Sequence, residues 1–284
     1  TPARTLSVSS SLIRAARRAY RMVLARVASY NVLSSHLSAA SYFKSCRPQD
    51  LDPPTRLDRV LVKLQAEVDK GSIVCLQEVS LLWSGPLFKF FEKNNFTFVP
   101  AHYTDAWQGY MGVCLAFPRS KYELEDAEVV RVADTKSWPA PRAGPKSVQS
   151  ALTPWIKPAS SLLSLLQRWA MWPVKFALSI FGSRASLLPS SREAKDPWEV
   201  SMKRHNRMVN LKLRSKDDGV VFCVGTYHMP CVYWDHRVIV VHSALCVQAL
   251  QRFAKGCKHV LAGDFNFLPN TVPYKLITGA HIPA

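Results

Sequence analysis

The stretch His259-Val-Leu-Ala-Gly-Asp-Phe-Asn266 decides how this chain is read. Its apolar run, His259 to Ala262, predicts a buried strand. At the strand's end a carboxylate, Asp264, and a carboxamide, Asn266, stand two residues apart. On an extended backbone positions i and i+2 point the same way, so the two groups converge at the mouth of a sheet. One can take a proton from an attacking water while the other holds that water, which suits phosphoester hydrolysis. Four residues match by chance too easily to carry this reading alone.

Three further β-prone runs end in the same style. Arg26-Val-Ala-Ser-Tyr-Asn31 ends in a carboxamide, Ser72-Ile-Val-Cys-Leu-Gln-Glu78 in a carboxylate, and Val220 to His228 in an imidazole. Oxygen ligands from Asn and Glu are what Mg²⁺ prefers, and it usually takes only one or two carboxylates and keeps several waters. Each residue has a plainer reading when taken singly. Asn31 would be a turn residue, Glu78 a solvated strand end, and His228 a partly buried, hydrogen-bonded histidine. Cys75 and Cys223 fit plain core positions. The order Asn, Gln-Glu, His, Gly-Asp-x-Asn is what shifts the balance.

Ser29-Tyr-Asn-Val-Leu33, Leu76-Gln-Glu-Val79, Gly225-Thr-Tyr-His-Met-Pro230 and Gly263-Asp-Phe-Asn-Phe-Leu-Pro269 resemble the motifs of the endonuclease/exonuclease/phosphatase superfamily. The wording is most similar to the deadenylase, nocturnin and Angel branch. Arg56 on the helix before the Glu strand, and Tyr274 and Leu276 after the Gly-Asp-x-Asn segment, match that branch too. The resemblance covers about residues 26–132 and 200–284. It implies an α/β fold, a two-sheet αββα sandwich of the DNase I-like kind. It also implies metal-dependent hydrolysis with Mg²⁺, for which Mn²⁺ can substitute. Carried over by motif, Glu78 would be the principal metal ligand with Asn31 beside it. His228 would contact the scissile phosphate, Asp264 would orient or activate water, and Asn266 would position it. Asn206, in Lys203-Arg-His-Asn-Arg-Met-Val209, resembles a substrate-contacting Asn. The family pattern closes its site with a C-terminal Asp-His pair, whereas His281-Ile-Pro-Ala284 lacks the preceding carboxylate. The domain at 26–284 is therefore expected to be C-terminally incomplete.

At 284 residues the chain can bury a sizeable core as one domain. Lys and Arg exceed Asp and Glu by seventeen, a field that attracts phosphate polyanions and acidic membranes. Beside a phosphodiesterase-like site, it favours RNA as partner. The seven cysteines lack both pairing and metal-site spacing, which points to a reducing compartment. Residues 1–25 form a basic leader with no acidic residue before Asp50. Apolar residues near helical spacing alternate there with Arg14, Arg17, Arg18 and Arg21, the composition of an organellar transit peptide. A basic helix retained in the mature protein for RNA or partner binding is the other reading; the leader makes mitochondria the expected location, with the cytoplasm as the alternative.

Helices are expected over Pro54 to Asp69, Pro86 to Asn94 and Val238 to Lys255. Strands are expected over Met111 to Phe117 and over Tyr122 to Val132, the latter as hairpin partner or neighbour of the former. A Pro- and Trp-rich insertion, residues 134–198, breaks this pattern. Its apolar stretch from Ser161 to Phe181 is long enough to span a membrane, but Arg168, Pro173 and Lys175 argue against a transmembrane span. A pair of amphipathic helices broken at Pro173 is expected. It would either present a surface to a ribonucleoprotein particle or a membrane, or pack back on its own domain. Three functions fit. The first is a Mg²⁺-dependent phosphodiesterase acting on RNA in mitochondria. The second is a catalytically reduced RNA-binding or structural subunit, or assembly factor, of a mitochondrial ribonucleoprotein particle such as the mitoribosome. The weaker third is a lipid phosphodiesterase.

Overall fold

The computed structural model describes residues 25–103, 109–138 and 196–279. The leader up to residue 24 and most of the 134–198 insertion lie outside the described residues, and so does its expected helix pair.

Among the described residues, eight strands form two four-stranded sheets. The first has the order β1-β2-β4-β3, with β1 (Val27–Asn31), β2 (Ile73–Gln77), β3 (Phe96–Tyr103) and β4 (Met111–Pro118). The second has the order β5-β6-β7-β8, with β5 (Tyr122–Arg131), β6 (Arg207–Ser215), β7 (Val221–His228) and β8 (Lys258–Asp264). Each sheet has one parallel pair at an edge, β1 with β2 and β7 with β8, and is otherwise antiparallel. Parallel neighbours need a crossover. A helix supplies it in each sheet, and both helices follow a capped start. The short α1 (Pro48–Leu51) leads into α2 (Pro53–Asp69), where Asp52 accepts from the Thr55 amide at 3.0 Å. The second crossover is α5 (His236–Ala254), whose cap Asp235 accepts from the Arg237 amide at 3.1 Å. The remaining α-helices among the described residues are α3 (Leu81–Lys93), α4 (Pro197–Met202) and α6 (Val272–Thr278).

Three buried clusters define four layers. Val60 and Leu64 of α2 and Trp83, Leu87 and Phe91 of α3 pack on Val74 and Leu76 of β2. Between the sheets, Ile73, Cys75, Val113 and Leu115 meet Val209, Leu211 and Val224. Behind the second sheet, Cys223 and Tyr227 meet Ile239, Cys246 and Leu250 of α5. Every residue of β2 is buried because alternate side chains feed two different clusters. This is the expected αββα sandwich. All seven cysteines are free thiols, and burial raises Cys75 and Cys246, each to about 12.

Several sequence expectations are corrected. The run His259 to Ala262 is not a buried strand, because β8 is the edge strand of its sheet and Val260 is 41% exposed. Strand β5 is not the hairpin partner of β4; it crosses to the other sheet and pairs with β6. Helix α3 begins at Leu81 rather than at Pro86, because Ser80 caps it and Pro86 falls inside. Strand β3 has no counterpart in the sequence reading, since Pro100 and His102 break its apolar pattern. Among the described residues no helix is long and apolar enough to cross a membrane.

The two ends of the insertion come back to one place. Trp138 donates from its indole to the Ala133 carbonyl at 2.7 Å, and its ring meets that of Trp198 at 6.1 Å. The sandwich is thus continuous across the point where residues 139–195 enter the chain.

Candidate functional site

The parallel pairs β1/β2 and β7/β8 end on the same side of the sandwich, and the polar residues at their C-terminal ends converge. Asn31 stands last on β1 and Glu78 follows β2 directly. The Asn31 amide nitrogen lies 2.8 Å from Glu78 Oε1 and 2.8 Å from Asp264 Oδ2. It thereby bridges carboxylates that come from different sheets. His228 ends β7, with its Nε2 3.9 Å from Glu78 Oε1 and 3.9 Å from Asp264 Oδ2. Asn266 places its amide nitrogen 3.1 Å from that Nε2 and donates to the Met229 carbonyl at 2.8 Å. Asn206 sits one step away, donating to the His228 carbonyl at 2.8 Å. The structure therefore gathers Asn31, Glu78, His228, Asp264 and Asn266 at one point, with Asn206 behind the histidine.

The chain turns sharply where these side chains meet. Leu33, Glu78 and Asn266 have φ of 53°, 60° and 50°, in the left-handed region that side chains avoid. Such conformations persist only when their surroundings hold them, and they cluster at functional positions. The surroundings are visible here. Asn31 Oδ1 accepts from the Leu33 amide at 2.9 Å, and Glu78 Oε2 accepts from the Ser34 amide at 3.2 Å. Arg56 donates to the Val32 carbonyl at 2.8 Å and lies over the Trp83 ring at 5.2 Å. Burial lowers the Arg56 pKa, opposed by Tyr30 and Glu78. Asp264 and Asn266 do not meet through an extended backbone as the i, i+2 rule suggests. Strand β8 ends at Asp264, and the Asn266 amide turns back to donate to Asp264 Oδ1 at 3.1 Å. The glycine before them is fixed by contact, since a Cβ on Gly263 would stand 1.9 Å from the Tyr227 carbonyl oxygen.

Burial separates the titratable groups. The Glu78 side chain is 12% exposed and Asp264 is 33% exposed, while His228 is 4% exposed. Burial lowers the His228 pKa, and the facing Glu78 and Asp264 oppose that shift. Tyr103 was missed by sequence reasoning. Its hydroxyl stands 3.0 Å from His228 Nδ1, so it fixes the ring from the side opposite the carboxylates. Burial raises the Tyr103 pKa, with a hydrogen bond from Asn206 opposing it. The signal was present: Tyr103 is the last residue of β3, another polar group at a strand end. Only its strand went unread.

Two carboxylates already converge on one electropositive group, the Asn31 amide, as they would on a small hard cation. Among the described residues no group of three or more His, Cys, Asp or Glu gathers to hold a metal. The two converging carboxylates are oxygen donors of the kind suited to a hard ion that takes few protein ligands and keeps its waters.

The Endonuclease/Exonuclease/phosphatase family matches residues 28–280. Among solved structures, the chain is similar to ANGEL2, a 2',3'-cyclic phosphatase in complex with adenosine-2',3'-vanadate. That match has a TM-score of 0.57 and 18% identity, over 88% of this chain and 56% of that one. The human nocturnin catalytic domain with bound sulfate is similar at a TM-score of 0.52 and 14% identity, over 87% and 65%. An endonuclease/exonuclease/phosphatase from Bacteroides vulgatus is similar at 0.52 and 17%, over 88% and 69%. The chain thus spans just over half the length of ANGEL2. No curated protein matches it. At these identities the solved structures establish the shared fold.

Proposed function

The chain belongs to the endonuclease/exonuclease/phosphatase family, and from that premise we propose that it is a Mg²⁺-dependent phosphodiesterase acting on RNA. The observation that carries this reading is the meeting of Asn31, Glu78, His228, Asp264 and Asn266 from four strands of two sheets. Glu78, the more enclosed carboxylate, would be the principal Mg²⁺ ligand, with Asn31 beside it offering its amide oxygen and not its nitrogen. When bound, the ion supplies positive charge against the phosphoryl oxygens as the transition state forms. Asp264 is the more open carboxylate and is placed to take a proton from water. Asn266 offers an amide beside it to orient that water. His228 presents its Nε2 edge to the same point, held at Nδ1 by Tyr103, and stabilises charge on the scissile phosphate.

RNA as substrate is supported by the excess of seventeen basic groups. It is also supported by the likeness to ANGEL2, whose bound adenosine-2',3'-vanadate is a ribonucleotide analogue. The basic leader supports a mitochondrial location. The same charge favours one other reading, an RNA-binding subunit of a mitochondrial ribonucleoprotein particle that does not turn over. Glu78→Gln separates the two. In the full chain, Mg²⁺-stimulated cleavage of an oligoribonucleotide is expected to fall by about 10²-fold or more. The melting temperature should stay nearly unchanged. Equal cleavage by the variant and the wild type sinks the assignment; no cleavage by either, with RNA still bound, favours the second reading.

A further inference from the structure

The loop between His228 and α5 holds two exposed aromatic rings, Tyr233 at 76% and Trp234 at 63% exposure. Single exposed apolar residues need no explanation. This pair is different because its loop is fixed from below. Met229 and Val232 are fully buried, the Val232 amide donates to the Pro230 carbonyl at 2.9 Å, and the Asp235 amide donates to Val232 at 3.2 Å. The two rings meet edge to face at 5.0 Å. They are held out at low conformational cost on a base that cannot collapse over them.

Beneath the loop lies a cavity of about 370 Å³ that reaches His228. Tyr110, Lys203, Arg204, His205 and Asn206 are among its lining residues, and among the described residues no carboxylate lines it. Lys203 is paired outward with Glu199 at 2.5 Å. Arg204 is the better placed cation. Its guanidinium lies 5.8 Å from the Trp234 ring centre, and among the described residues its buried Nε has no hydrogen-bond partner. Burial lowers its pKa, so an anion arriving there meets a guanidinium already stripped of part of its water. A basic cavity that reaches the histidine of the site, and an exposed aromatic pair whose Trp234 ring lies beside the Arg204 of that cavity, fit a ligand that alternates phosphate and flat ring.

We propose that Tyr233 and Trp234 form a stacking platform for bases of single-stranded RNA, while Arg204 receives a phosphate next to the scissile one. The proposal rests on the phosphodiesterase reading of the site only for where the strand lies. Stacking on aromatic faces is sequence-tolerant, because every base has a π-face, so the platform would give grip without choosing a sequence. A lipid surface would also welcome Tyr and Trp at its interface. The RNA strand is preferred because the Trp234 ring lies beside Arg204, which lines the cavity that leads to His228.

The test is equilibrium binding by the full chain, in chelator so that nothing is cleaved. The probes are a short single-stranded oligoribonucleotide and an abasic chain with the same number of phosphates. Wild type is expected to bind the RNA on the order of tenfold or more tightly than the abasic chain. The Tyr233→Ala/Trp234→Ala double variant should lose that preference while keeping its affinity for the abasic chain and its salt dependence. If the alanine variant misfolds, leucine at both positions keeps apolar bulk without a π-face and gives the same readout. An unchanged preference for RNA in either folded variant overturns the proposal. Loss of binding to anionic phospholipid vesicles, with RNA binding intact, overturns it in favour of a membrane contact. Glu78→Gln should retain the base-dependent preference in this assay. A chain that shows the preference and never cleaves RNA therefore refutes the hydrolytic reading and leaves the platform standing.

Discussion

Strands β2 and β8 bring a carboxylate each to the same point, and they are made differently. Strand β2 is internal to its sheet, with every residue buried and Leu76 wholly enclosed. Strand β8 is an edge, exposed over its first three residues and partly buried over the rest. Glu78 inherits the enclosure of its strand, and Asp264 inherits the openness of its own. The lesson is that a sandwich can set two chemically equal groups to different tasks by where their strands sit. The enclosed carboxylate suits a fixed charge, and the open one suits contact with water.

The largest test of that contrast is in the cores behind the strands. Leu76→Ala removes a side chain with no room to collapse and is expected to cost about 2–5 kcal/mol. Val260→Ala, on the exposed face of the edge, is expected to stay within roughly 0.5 kcal/mol. Chemical denaturation of both variants checks this. Equal losses would mean that β8 is covered in solution.

The two halves should also respond differently to acid. Behind β7, His242 is fully buried, with Nδ1 2.9 Å from the Tyr227 hydroxyl and Nε2 3.1 Å from the Ser201 carbonyl. Burial lowers its pKa from 6.5 to about 4, opposed by the Ser201 hydrogen bond. The unfolded chain therefore binds this proton more readily than the folded one. Its contribution is present above about pH 6.5 and is lost as pH falls towards about 4, a change on the order of 3 kcal/mol. Hydrogen exchange at falling pH should release α5 and β7 before β2. Simultaneous release would break the comparison between the halves.

The smallest effect concerns the insertion. Trp138 and Trp198 already meet within the sandwich. Replacing residues 140–195 by a short linker is expected to leave the melting temperature of the sandwich nearly unchanged. It should also remove binding to a particle or membrane, read by co-sedimentation with and without detergent or nuclease. A large loss of stability would show that the segment is part of the core.

The sequence by itself determined the fold class and singled out most of the side chains that the structure gathers at one point. Asn31, Glu78, His228 and Asp264 are legible because they close β-prone runs, and the end of a strand can be read locally. The helices of both crossovers are legible for the same reason, since α2 carries Leu57, Val60, Leu61, Leu64 and Val68 on one face. Only the tertiary structure decided what depends on partners distant in the chain. It placed β8 at an edge, because strand order is set by pairing and not by composition. It sent β5 to the second sheet, and it put Tyr103 against a histidine 125 residues away. Asn31 shows both levels at once. Its place at the end of β1 is written in sequence, but that its amide would bridge carboxylates from two sheets depended on the packing that brings Asp264, 233 residues later, within 2.8 Å.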